Sequence, residues 1–220
     1  WFEERGYRDV FLTVLLTRYG IGATFTAALA IFVAVNLSIA RRTRPFIIPT
    51  TPQQAQVQRV RDAVDPYLPW VIAAVSFLFA LTSGAAVGAQ WRTFLLFLNG
   101  EGVGIVDPLF DRDLGFWLFE LPFWALIQSW LFTSLVLTIM LTASAHYVLG
   151  AIRPESPEKV TPPAKLHLTV LVALALGIRA WGYWLDRYEL NFSQRGTVTG
   201  ASFTDVNAEL PALLLLIGVS

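Results

Sequence analysis

Apolar residues run in blocks along this chain, and short charged or proline-rich stretches separate the blocks. The first block follows a charged start, WFEERGYRDV, whose Trp1, Phe2 and Tyr7 suit a membrane boundary. A helix beginning near Asp9 leads into a span at about Ile21 to Ala40, the roughly 20 residues that a bilayer core requires. The whole element covers about 10–40, and Arg41, Arg42 and Arg44 end it. Gly22, Ala23, Ala27, Ala30 and Ala34 give it small surfaces for close helix contact. Residues 41–67 are polar, with Pro45, Pro49 and Pro52 followed by QQAQVQRVRDAVD, which can form a short surface helix. The second span covers 68–89. Ser76, Ala80, Gly84 and Gly88 recur on it every four residues, a ridge that reads as a packing seam. In the stretch Gln90 to Leu98, Trp91, Phe94, Leu95 and Leu98 lie on one side and Arg92 and Thr93 on another, the pattern of an interfacial helix. A third span covers 122–150, long enough to tilt or project. The proline-rich loop 151–165 leads to a fourth at 166–185, closed by Trp181, Tyr183, Trp184 and Tyr188. After the polar residues 186–209, a fifth begins at Leu210 and is cut off at Ser220. The predicted fold is all-α: a partial transmembrane domain over 1–220, a polytopic helix bundle with interfacial helices on its outer face.

The stretch Asp107 to Pro122, DPLFDRDLGFWLFELP, mixes acidic, aromatic and turn residues most densely. Pro108 pushes Asp107 out of the α region, and Asp111 is a good N-cap. Leu114, Trp117, Leu118 and Leu121 then follow at helical spacing. The expectation is a short helical lid over 107–121 lying on the outer face, with Trp117 buried and Pro122 in the first turn of the next helix. Glu120-Leu121-Pro122 and Glu209-Leu210-Pro211 form a weak internal echo, as do the aromatic-x-Asp-Val segments at Tyr7 and Phe203. They read as a shared way of starting a span rather than as an inverted repeat.

Composition agrees with the pattern. The chain is 55% hydrophobic with a mean hydropathy of +0.56, well above a soluble domain. Formal net charge is zero, which leaves no basic footprint for nucleic acid. The absence of cysteine excludes disulfides, thiol catalysis and cysteine metal sites. Residue 1 is Trp and the last residue lies within an apolar run, so the sequence reads as an internal part of a longer one. Charge also sorts between alternate loops. Arg41, Arg42, Arg44, Arg59 and Arg61 enrich 41–67, and Arg153, Lys159 and Lys165 enrich 151–165; carboxylates dominate 90–121 and 186–209. The positive-inside rule therefore puts the first pair in the cytoplasm and the second pair on the outer face of the membrane.

Three blocks carry a family resemblance: WFEERGYRDVFLTVLL at 1–16, DPLFDRDLGFWLFELPF at 107–123, and YWLDRYELNFSQRGTVTGASFTDVNAELP at 183–211. Through them the chain resembles a bacterial family of uncharacterised multi-pass membrane proteins, serial 0182. The resemblance covers nearly the whole chain. It implies much longer members, with about seven spans followed by a large extracytoplasmic region. It transfers no catalytic residues.

Each candidate site has an ordinary reading beside its functional one. Arg179 is the one charge inside a span, and an intramembrane charge points to function. It lies close enough to the outer end to snorkel, or to pair with Asp186 two turns on. His146 and His167 lie at matching depths at the cytoplasmic ends of the third and fourth spans, as a haem or chlorin ligand pair would; the plainer reading is two interfacial histidines flanking a hairpin. Asp107, Asp111 and Asp113, with Asp205 and Glu209 across the outer face, could hold a hard cation such as calcium, although the spacing is not that of an EF-hand. The plainer reading of these carboxylates is capping and partner contacts. Glycines 100, 102 and 104 lack the strand and the Lys-Ser/Thr of a phosphate loop.

Asn36, Gln128 and Ser129 are polar within spans, whereas no Asp, Glu or Lys occupies an apolar interior. No enzyme motif appears, and no cofactor is expected. The sequence therefore points to a non-enzymatic structural or anchoring module, or complex subunit. Its expected partners are the lipid bilayer, other membrane subunits and the rest of a longer chain, with no nucleic acid. The alternative is part of a transporter or flippase whose polar path uses Arg179, Asn36 and further spans.

Overall fold

A computed structural model describes residues 8–45, 56, 59, 63, 65–153, 158–193 and 200–220. Trp1, Phe2, Tyr7 and most of the surface helix expected within 53–65 lie outside the described residues. The described chain is mostly helical. Its elements are α1 (Arg8–Arg42), α2 (Leu68–Ala89, preceded by a 3-10 turn Asp65–Tyr67), α3 (Trp91–Leu98), α4 (Leu121–Val148), α5 (Pro162–Glu189) and α6 (Leu210–Val219). Two two-residue strands, β1 (Val106–Asp107) and β2 (Arg112–Asp113), pair antiparallel. Four helices are long and apolar enough to cross a membrane: those containing α1, α2, α4 and α5. At 1.5 Å per residue α1 is about 52 Å long, well beyond the roughly 30 Å of a hydrocarbon core.

The chain divides into two compact units, Trp1–Ala89 with Val136–Leu171 and Gln90–Leu135 with Val172–Ser220. In the first unit α1 buries Leu29, Val33, Asn36, Leu37 and Ala40 along one stripe. Its antiparallel neighbour α2 buries Ser76, Ala80, Gly84, Val87 and Gly88. The two helices meet backbone to backbone at the glycines. A Cβ built on Gly84 would fall 2.6 Å from the Gly22 carbonyl oxygen and 2.7 Å from the Thr26 amide nitrogen, and one on Gly88 2.7 Å from the Arg18 carbonyl oxygen. At the far end Arg44 forks onto Asp65 at 2.7 and 3.3 Å. The turn after α4 closes through Gly150 at φ 76°, an Ala151 amide donating to the His146 carbonyl at 2.8 Å and a bridge between Ile152 and Val160. Helix α5 then starts at Pro162, earlier than the proline-rich loop suggested. A first-turn proline lacks only an amide hydrogen that would have no helical partner.

In the second unit the central stretch is not the helical lid that its spacing predicts. Residues 106–113 form a tight hairpin. Asp107 Oδ1 accepts from the Leu109 and Phe110 amides at 3.0 and 2.8 Å, and Asp111 sits in the left-handed region at φ 52°. An Asp before Pro folds its carboxylate back onto the turn, and Asp tolerates a positive φ, so local chemistry favours the turn over an N-cap. From Phe116 the chain is already the start of the long helix, through a π-helical turn Phe116–Glu120 that runs into α4. Pro122 is therefore inside a helical run rather than at its start. A proline there would lose an amide bond and crowd the carbonyl four residues back. The wide turn relieves this, because the Leu121 amide reaches five residues back to the Phe116 carbonyl. The same device precedes Pro211: Asp205–Glu209 is a π-turn, and the Leu210 amide reaches Asp205. The two Glu-Leu-Pro segments thus share one backbone solution.

The glycine seam yields a test. Gly84→Ala puts a methyl group into fixed backbone and should cost about 1–3 kcal/mol. Gly20→Ala, which meets nothing within 4 Å, should be neutral or slightly favourable. Thermal unfolding of the two variants of the full-length protein in one detergent checks the contrast; equal midpoints would refute the close approach.

Candidate functional site

Polar side chains gather at one place in the first unit. Asn36 is 5% exposed and His146 is fully buried. His146 Nε2 and His167 Nδ1 are 3.1 Å apart, and His167 Nε2 lies 2.9 Å from Asn36 Oδ1. Asn36 Nδ2 donates to the Phe32 carbonyl at 2.8 Å. That carbonyl can only accept, so the amide nitrogen faces it and Oδ1 faces His167. The direction of the chain follows: His167 Nε2–H donates to Asn36, and in the neutral ring His167 Nδ1 then accepts from His146 Nε2–H. His146 Nδ1 is left as a bare, buried nitrogen without a hydrogen-bond partner, as is Thr142 Oγ1 one turn earlier. The histidines flank the turn between α4 and α5. They bond to each other and to the asparagine of α1. Axial ligands sit on opposite sides of a macrocycle, and a direct nitrogen contact at 3.1 Å leaves no place for the ring between them.

In the second unit an aromatic cluster forms beneath the hairpin. Phe116, Trp117, Leu121, Leu185 and Tyr188 are buried together, with Phe110, Leu114, Trp181 and Trp184 against them. Trp117 Nε1 donates to the Tyr188 carbonyl at 2.9 Å. The Arg112 guanidinium lies over the Phe116 ring at 4.5 Å and the Tyr188 ring at 5.3 Å. Leu118, expected on the same face as Trp117, is 55% exposed. The five-residue turn rotates it off that face and brings Phe116 on instead.

Two acidic residues of the hairpin, Asp107 and Asp113, are spent on backbone amides. Asp113 accepts from the amides of Val103, Gly104 and Gly115 at 2.6–2.8 Å. Those hydrogen bonds, Val103 first, hold its carboxyl below the ordinary aspartate value. Asp107 Oδ2 accepts from Asn191 Nδ2 at 3.0 Å. Asp205, fully buried, accepts from the Ser202 amide and hydroxyl at 2.9 Å. Among the described residues no group of three His, Asp or Glu side chains is arranged to hold a metal ion. Arg179 lies 3.6 Å from Asp186 and 4.1 Å over the Tyr183 ring, so its charge is met within its own helix. Gln128 Nε2 donates to the Ile178 carbonyl at 3.1 Å, while Ser129 is exposed. Pro122 and Pro211 are exposed too.

Sequence reasoning overlooked that Asn36 is the acceptor for the histidine pair, and that Tyr188 and Asn191 tie the end of α5 to the hairpin. A signal existed for the first: Asn36, His146 and His167 all lie near the arginine- and lysine-rich ends of their helices.

These features define a mostly helical protein with apolar outer faces and a few polar clusters between its helices. The chain belongs to the Uncharacterised protein family (UPF0182), whose sequence profile matches residues 1–220. It is 40% identical over its full length to a UPF0182 protein of Frankia alni, 39% to one of Mycobacterium tuberculosis and 34% to one of a Nocardioides species. It spans 22% of the length of the Frankia and Nocardioides proteins and 23% of the mycobacterial one. No solved structure matches it.

Trp117 offers the sharpest test of the aromatic cluster. Trp117→Ala removes a buried ring and orphans the Tyr188 carbonyl, and should cost about 3–5 kcal/mol. Trp117→Phe keeps most of the packing and should cost roughly 1–2 kcal/mol. Unfolding midpoints of the full-length variants read the order; an alanine variant as stable as the parent would contradict the burial.

Proposed function

We propose that this segment is a structural membrane module of a longer bacterial protein: it embeds the chain in the cytoplasmic membrane and packs against further spans or subunits. The observation that carries this reading is how little of the four long helices the segment itself covers. In their most apolar stretches only 22% or 28% of residues are buried. Leu78, Met140 and Leu174 on three of these helices stand between 51% and 64% exposed. Apolar surface on that scale would be unfavourable in water. Lipid, or spans elsewhere in a chain of which this is about a fifth, is what such faces suit. The knotted polar groups support the same reading: Arg179, Gln128 and the Asp107 and Asp113 carboxylates are met locally, which favours a packed module over a hydrated path. The absence of a catalytic constellation from the sequence motifs fits a non-enzymatic role.

The orientation proposed with it follows the charge pattern. Residues 41–67 and 151–165 face the cytoplasm, while the hairpin 106–113 and 186–209 lie on the outer face. Helix α3 lies along that interface, where its Phe97 stacks on Phe123 at 3.9 Å. The test is single-cysteine labelling of the full-length protein in whole cells. Thr50→Cys and Ser156→Cys should be protected from an impermeant thiol reagent, and Gly102→Cys and Thr199→Cys should react. The opposite pattern would invert the topology; uniform reactivity in the four positions would refute a membrane-embedded module.

A further inference from the structure

We propose that Asn36, His167 and His146 form a binding site for a single proton inside the helix bundle, with His146 Nδ1 as the atom that receives it. The geometry supplies each part. Asn36 is held by the Phe32 carbonyl, so its oxygen sets the tautomer of His167. His167 in turn sets that of His146 at 3.1 Å. The chain of donors ends on a bare, fully buried imidazole nitrogen, the one imidazole nitrogen without a partner among the described residues of this unit. Uptake forms one N–H bond at His146 Nδ1 and leaves His146 an imidazolium that still donates from Nε2. The incoming proton is drawn from water when the surrounding helices part. Thr142 Oγ1, buried without a partner one turn earlier on the same helix, offers an acceptor for the new N–H.

The arrangement limits the site to one proton. Two imidazolium rings with nitrogens 3.1 Å apart would place like charges in direct contact in a medium of low polarity. The charged groups on the surrounding elements do not relieve that. They are Arg41, Arg42 and Arg44 at the end of α1, Asp65 ahead of α2, Arg153, Glu158 and Lys159 in the turn after α4, and Lys165 at the start of α5. Asp65 is engaged by Arg41 and Arg44, and among the described residues no carboxylate bonds to either ring. The other end of the chain is closed, because an amide oxygen accepts a hydrogen bond but passes no proton onward. A closed end makes a store rather than a conduit. Since the three residues come from α1, α4 and α5, occupancy of the store changes the bond that ties those helices together, and this suits a proton-linked conformational step.

The experiment is nitrogen NMR of full-length protein labelled at histidine, in lipid nanodiscs, from about pH 8.5 to about pH 4.5. His146→Gln and His167→Gln identify the two signals. At the alkaline end both rings should be neutral and carry hydrogen on Nε2, with His146 Nδ1 bare. Acidification should add one proton to the pair, at His146 Nδ1. Asn36→Leu should release His167 into a mixture of tautomers, an effect that a purely packing role for Asn36 would not produce. Three outcomes would overturn the proposal: two protons taken up in independent steps, no proton taken up across the range, or hydrogen on His146 Nδ1 at the alkaline end. Either substitution alone identifies its own ring and leaves the other for comparison, so one variant that fails to fold does not leave the proposal untested.

Discussion

A polar atom on an apolar helix has few places to go, and the described structure is arranged around that constraint. With no water beside it, an unsatisfied amide, carbonyl or imidazole costs several kcal/mol. Several polar side chains that interrupt the long apolar helices are accordingly aimed at another helix or back along their own. Gln128 crosses to the Ile178 carbonyl, Trp117 to the Tyr188 carbonyl, and Asn36 to His167. Arg179 runs along its own helix to Asp186. These bonds do for apolar helices what a buried core does for a water-soluble domain: they select which faces meet and in which register. Where no polar group is available, glycine does the same by letting backbones touch, as Gly22, Gly84 and Gly88 do.

The proline problem is solved under the same constraint. A helix that must start in a crowded interface and then carry a proline would strand a carbonyl. The five-residue turns before Leu121 and Leu210 carry the amide ahead of each proline back to an earlier carbonyl. They also rotate the side chains upstream, which is why Phe116 rather than Leu118 shares the buried face with Trp117. The hairpin stays rigid by another route, the Asp107 and Asp113 carboxylates standing in for strand partners that so short a ladder lacks.

The long helices were legible in the sequence because period and length leave few alternatives for apolar runs of 20 residues or more. The span at 68–89 reads directly from the block between the arginine-rich loop and Gln90, and the Gly84/Gly88 ridge from its spacing. The helical lid over 107–121 was misread because a helical period over Leu114, Trp117, Leu118 and Leu121 assumes 3.6 residues per turn, and the π-turn breaks that count. Asp111 looked like a cap because Asp favours both N-caps and left-handed turns, and only the pairing of Asp107 with Arg112 decides between them. The polar knot at His146 was half visible: matching depth suggested a pair, but the third member comes from a helix more than 100 residues away in sequence, beyond the reach of any local pattern.

The central claim is that the uncovered faces of the long helices lie in lipid or against other spans, away from water. Spin labels at Leu78→Cys on α2 and Leu174→Cys on α5, both on exposed faces near mid-helix, measure this in the full-length protein reconstituted in lipid. The account predicts that a water-soluble nickel relaxant leaves both labels unaffected. Strong relaxation of either label by the nickel complex would place that face in water and contradict the account.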